Sequence, residues 1–236
     1  MVRIIDEHLK IVENKVCKLW DLTITAYENV YEAFANNNRK LALKISKDDK
    51  IINDLEEELN DDTIKTITLQ SPVASDLRLL ISALKIANQL ERIADYTVNV
   101  SDHILIDEGE SGKTSSSIVD KQILEMIKYI ISMLEGAKIA FETQNVELAK
   151  EIIAMDVQLD KIYTKSVKKL SKLVSDEEKL NEILPEISLN SVLLVKYLER
   201  SGDHIVNIAE SIFYMVKGRN YDAHHTATMF DDEGEE

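Results

Sequence analysis

The ten residues LERIADYTVN at 90–99 return, altered but recognisable, as LERSGDHIVN at 198–207. Each copy sets a Glu and an Asp four positions apart, Glu91 with Asp95 and Glu199 with Asp203. Residues i and i+4 share one face of a helix, so each pair forms neighbouring carboxylates on one side. Asn99 and Asp102 extend the first stripe, and Asn207 and Glu210 the second. A helix-favouring run written twice implies a duplicated helical unit.

Composition points the same way. Only 2 prolines and 6 glycines punctuate 236 residues, hydrophobic residues make up 44% and aromatics 6%, a balance that favours long helices over sheet. The expected class is all-α, with enough apolar residue to bury a sizeable core. The formal charge of −15 argues against nucleic acid as a partner, because phosphate backbones are held by Lys and Arg. Part of that charge sits in RNYDAHHTATMFDDEGEE at 219–236, where six acids and one Arg leave −5. The lone Cys17 allows no intrachain disulfide, and MVRIIDEHLK lacks the apolar core of a secretory signal. With no apolar run of about 18 residues, the expectation is a cytoplasmic protein that meets a membrane only through partners.

Sparse punctuation divides the chain into six long helical patterns. Asn36-Asn37-Asn38 closes the first (3–35), and the second runs over 39–68. Ser71-Pro72 is read as cap and first helical position of the third, which reaches 105. The polar stretch DEGESGKTSSS at 107–117 reads as a linker. A fourth helix (118–143) and a fifth (146–173) part at Gln144-Asn145, Ser175 to Glu178 has capping-box spacing for a short turn, and the sixth helix starts at Pro185 and ends at Gly218. The expected organisation is a first three-helix bundle (1–106), the linker, a second three-helix bundle (118–218), and an acidic disordered tail (219–236). The repeat is traceable residue by residue: Phe34 matches Phe141, Leu41-Ala42 matches Leu148-Ala149, and Asp49 matches Asp156 at an offset of 107, against 108 for Glu91 and Glu199. Two pseudo-repeated antiparallel three-helix bundles follow, with helices about 45 Å long.

The acids sit on apolar seams. Val73, Leu77, Leu80, Leu84 and Ala87 recur in 4-3-4-3 steps and the next step lands on Glu91; Val192 and Val195 lead likewise to Glu199. On the second helix of each half, Ala42, Ile45, Asp49, Ile52 and Leu59 share a seam, as do Ala149, Ile152, Asp156 and Leu159. Asn53 and Asp160 follow one turn after the aspartates. Carboxylates crowded at an interhelical face repel and lose hydration, and a hard cation relieves both costs. Donor sets of Asp, Glu and Asn suit Mg, Ca, Mn or iron, and Ala94 and Gly202 leave room for close helix approach. The competing reading treats the acids as solvated and paired with Arg92, Arg200 or nearby Lys. His103 and His204 are not repeat-equivalent and neither has Glu three residues before it, so the E-x-x-H pair of di-iron oxidases is absent. His224-His225 lies in the tail, and Glu28 and Glu135 are repeat-equivalent but read as exposed-face residues.

At SPVASDLRLL (71–80), LERIAD (90–95), DDKIIND (48–54), LERSGD (198–203) and HIVNIAESIFYMVKG (204–218), the chain resembles the PhoU family of phosphate-transport accessory proteins. The resemblance implies a non-catalytic cytoplasmic regulator that contacts a phosphate ABC transporter, through its ATPase subunit, and a sensor histidine kinase, and that forms a homodimer. It also implies multinuclear metal binding, iron first, with Mg, Mn, Ca or Zn as alternatives. Carried over by position, the ligands are Asp49, Glu91 and Asp95 in the first half and Asp156, Asp160, Glu199 and Asp203 in the second. Departures are Ala94 where Gly is usual, Ser201 where an aliphatic is usual, and Asn53 opposite Asp160, which would weaken the first cluster's hold on a cation. The alternative function is a carboxylate-bridged metalloenzyme in a helical bundle; a third is a purely structural bundle.

Overall fold

Two chain reversals of one design set the architecture. Asn37 and Gln144 both take left-handed backbone, at φ 47° and 52°. After each, the next amide turns back into the helix it has left: Asn38 N–H to Ala33 O at 2.8 Å, and Asn145 N–H to Ala140 O at 2.9 Å. Each Asn then caps the following helix, with Asn38 Oδ1 accepting from Leu41 N–H and Asn145 Oδ1 from Glu147 and Leu148 N–H. All the paired positions differ by 107, so the duplication extends to the geometry of the turn.

The computed structural model describes residues 3–106, 119–174 and 185–222. Within them are six helices: α1 (Ile4–Asn36), α2 (Arg39–Gln70), α3 (Ala74–Ile106), α4 (Asp120–Thr143), α5 (Val146–Val174) and α6 (Pro185–Lys217). No strand occurs among the described residues. The expected linker at 107–117, the capping-box spacing at Ser175 to Glu178, and the tail beyond Asp222 lie outside them. Gly218 closes α6 in the left-handed region at φ 69°, its amide donating to Tyr214 O at 2.8 Å.

One expectation fails at the start of α3. Ser71 does not cap it; at φ 48° and ψ 61° it closes α2 instead, and the helix begins at Ala74. Pro72 therefore lies in the connection. The role falls to Asp76, whose carboxylate accepts the Val73 amide at 3.4 Å and also receives Arg3 Nη1 at 3.0 Å. Arg3 is bonded to Asp6 as well, so one guanidinium ties the first turns of α1 and α3 together.

α1, α2 and α3 pack on one another, and so do α4, α5 and α6. The halves meet through α1 against α4 and α3 against α6, leaving α2 and α5 on opposite outer sides. Side chains of both halves form one continuous core, in which Trp20, Tyr27, Leu90 and Ile93 join Ile123, Met126 and Ile130 with no exposure above 1%. Several polar groups at the junction are paired as burial demands. Trp20 Nε1 donates to Leu134 O at 3.0 Å and its ring rests on Phe141, while Tyr27 and Ser201 share a 2.5 Å hydroxyl contact.

Candidate metal-binding faces

Each outer helix lays one aspartate against the acidic pair of the neighbouring inner helix. On α2, Ala42, Ile45, Ile52 and Leu59 are buried, so Asp49 is carried into the α2–α3 seam as its spacing predicts. On α5, Ala149, Ile152 and Leu159 do the same for Asp156. The expected α3 seam is only partly right. Val73 is 56% and Leu77 38% exposed, whereas Leu80, Ala83, Ile86, Ala87, Leu90, Ile93 and Ala94 are buried. Glu91 and Asp95 consequently flank the buried stripe, and a carboxylate at that edge keeps some hydration.

The first cluster comprises Asp49, Glu91 and Asp95. Burial raises the pKa of Asp49 first, Asp95 adds repulsion, and a 3.1 Å hydrogen bond from Asn53 Nδ2 partly opposes them. Glu91 is raised by burial, then by Asp95 and Glu56, with Arg92 acting the other way. Asp95 is raised by burial against Arg92. Asp49 Oδ1 is buried without a hydrogen-bond partner, which makes it the one oxygen of the cluster with unmet demand. Beside it lies a cavity of about 70 Å³ with Thr25, Asn29 and Thr97 in its wall.

The second cluster comprises Asp156, Asp160, Glu199 and Asp203, and it is more crowded. Burial raises Asp156, and Asp160, Asp203 and Glu199 repel it further, to a pKa of about 6. Asp203 is raised by burial and by Glu199, against Lys196. Lys196 Nζ bonds Glu199 Oε2 at 2.5 Å and lies 5.3 Å above the Tyr163 ring. The repeat places Asn88 where the second half has Lys196, and Asn88 accepts from Arg92 instead. The second half thus holds an ion-paired counter-cation, whereas in the first Arg92 acts on Glu91 and Asp95 without an ion pair among the described residues.

Gly202 supplies the close approach expected of it. A Cβ there would collide with Leu159 Cδ2 and lie 2.7 Å from Asp156 Oδ1. Ala94, its counterpart, is fully buried. Sequence reasoning missed Glu56, Lys196 and the Tyr27–Ser201 pair. Glu56 lies seven residues after Asp49 and Lys196 three before Glu199, both visible as helical neighbours; Tyr27 is 174 residues from Ser201 and no local spacing could reveal it.

As the side chains stand, no three His, Cys, Asp or Glu among the described residues converge to hold a metal ion. The acids of each half are nevertheless close enough to raise one another's pKa, and the unpartnered Asp49 Oδ1 suits a hard cation chemically. Cys17 takes no part: burial, then Glu142, push its thiol up to about 11. No described helix is long and apolar enough to cross a membrane.

The comparisons with known proteins fit this architecture. The PhoU domain matches twice, over residues 16–104 and 123–212, one match per half. A phosphate-specific transport system accessory protein PhoU homolog of Clostridium acetobutylicum is 28% identical over 93% of this chain and 97% of its own length. The homolog from Zymomonas mobilis is 29% identical over 92% and 89%. Among solved structures, the phosphate transport system regulatory protein PhoU from Streptococcus pneumoniae superposes with a TM-score of 0.82 at 25% identity, covering 92% of this chain and 99% of that one. PhoU from Pseudomonas aeruginosa gives 0.80 at 26%, over 91% and 99%. These relatives are named accessory and regulatory proteins, and the metalloenzyme alternative has no counterpart among them. With a domain match over most of the chain and both repeats accounted for, this chain belongs to the PhoU family.

Proposed function

We propose that this protein regulates phosphate transport as a metal-responsive adaptor. The family match supports the regulatory role, and one observation carries the metal part: each half sets an interhelical aspartate against an acidic helix pair, so that ionisation is disfavoured on both faces at once. Asp49, Glu91 and Asp95 would hold a divalent or trivalent ion on one face, and Asp156, Asp160, Glu199 and Asp203 on the other, iron first by resemblance. A bound cation would neutralise the crowded carboxylates and draw α2 towards α3 and α5 towards α6. The second face would first have to displace Lys196 from Glu199, so the two faces would differ in affinity.

The regulatory step would be a difference in partner affinity between metal-bound and metal-free faces, since only differential binding can shift a switch. The partners in this reading are the ATPase subunit of a phosphate ABC transporter and a sensor histidine kinase, met by a homodimer on the cytoplasmic side. Elemental analysis of natively purified protein tests the sites: divalent or trivalent metal is expected, and its content should fall at least fivefold in the variant Glu91→Gln, Asp95→Asn, Glu199→Gln, Asp203→Asn. Undiminished metal in that variant would reject these ligands. Affinity capture from phosphate-replete cells tests the partners; recovery of neither ATPase nor kinase would reject the adaptor role.

A further inference from the structure

On the outer side of α5, a groove that starts beside Asp160 of the second acidic face turns basic towards the end of the helix. Lys161, Lys165, Lys168 and Lys172 recur at steps of four, three and four, and Lys169 lies beside them along an open groove of about 710 Å³. Four of these five lysines are exposed, and no carboxylate among the described residues forms an ion pair with any of them. Five cations with no ion pair among the described residues, set along about 17 Å of one helix, repel one another. In a chain of net charge −15 this stripe is complementary in charge to a short, densely acidic segment.

The chain itself contains such a segment. Asp231, Asp232, Glu233, Glu235 and Glu236 place five negative charges within six residues. The end of the described chain starts it in the right direction: Tyr221 packs edge-on against Phe213 with ring centroids 5.3 Å apart, so the backbone has doubled back along α6 after Gly218. Gly202 lies level with Leu159 where α5 and α6 cross the seam. From Phe213 to Gly202 is about 17 Å of helix, and from Leu159 to Lys165 about 9 Å, so roughly 26 Å separates Tyr221 from the stripe along the helix axes. The stretch of about ten residues from Tyr221 to Asp231 spans up to about 35 Å when extended. We propose that the lysine stripe of α5 is the docking surface for the acidic C-terminal segment, residues 231–236, of the same chain.

Bound in this way, the segment covers a basic stripe of an acidic protein, and any anionic partner of the stripe must displace it. The contact is electrostatic and tethered, so it depends on salt and on local concentration rather than on shape. Zero-length carbodiimide coupling of the full chain, read by mass spectrometry on a mixture of isotopically light and heavy protein, tests the proposal. Peptides containing Asp231 to Glu236 are expected to couple to Lys161, Lys165, Lys168, Lys169 or Lys172 at least fivefold more than to the exposed Lys10 and Lys121, within single chains, with the preference lost at about 0.5 M salt. Coupling only between light and heavy chains would overturn the proposal in favour of a second copy. Equal coupling to all exposed lysines, or coupling of the stripe only to other acids, would overturn it outright. As a second measurement, truncation after Met229 is expected to raise the acetylation rate of the stripe lysines about threefold at low salt, with Lys10 and Lys121 unchanged. An unchanged stripe rate would count equally against it.

Discussion

Burial and crowding act on Asp156 in the same direction, and this has a definite signature in pH. Its carboxyl titrates at about 6 in the folded chain against 3.8 normally. Well below pH 3.8 it is protonated in both states and costs nothing. Between about 4 and 6 the unfolded chain releases its proton first, so metal-free folded protein loses stability as pH rises and does not regain it above 6. Because the group is half-exposed, solvent screening reduces the nominal effect to about 1 kcal/mol. Urea titrations of Asp156→Asn in chelator are expected to match the parent near pH 4 and exceed it by about that amount at pH 7. A constant difference across the range would exclude this account. At the same scale, Ser201 fills a position that is Ile93 in the other repeat, and its hydroxyl meets that of Tyr27. Ser201→Ala strands a buried phenol and is expected to cost about 2 kcal/mol, whereas Ser201→Ala combined with Tyr27→Phe should cost about 1 kcal/mol less than the sum of the single changes.

At the scale of elements, the paired turns and the tight α5–α6 crossing are the sensitive points. Gln144 holds left-handed backbone that costs a side chain about 1 kcal/mol, so Gln144→Gly is expected to raise the thermal midpoint slightly. Gly202→Ala should act in the opposite sense, by about 1–3 kcal/mol, because a methyl group there must displace Leu159 and the Asp156 carboxylate. Denaturant midpoints decide both; a neutral Gly202→Ala would mean that α5 is free to move outward. Most of this scale was legible in advance. The Asn-rich break, Pro185 and Gly218 mark helix ends through local backbone preferences that operate whatever the surroundings. Ser71-Pro72 misled because the same two residues can end one helix or begin the next, and Asp76, held by Arg3 across α1, decides between them.

For the whole molecule, the two repeats share one core, with the sole Trp20 of α1 bonded to Leu134 of α4. Such a junction should make unfolding cooperative across both halves. Far-ultraviolet dichroism and Trp20 fluorescence are expected to give coincident denaturation curves; a dichroism curve in two steps would show that the repeats unfold separately.

The sequence alone determined the helical class, the duplication and the face on which Asp49 and Asp156 lie, because helix periodicity and turn chemistry are properties of neighbouring residues. Tertiary structure decided how deeply each acid is buried and what faces it. Lys196 beside Glu199, the unpartnered Asp49 Oδ1, the edge position of Glu91 and the Tyr27–Ser201 contact all depend on which helices meet and at what rotation. Hydration and charge coupling are set across those contacts between residues far apart in the chain, and no local pattern encodes them.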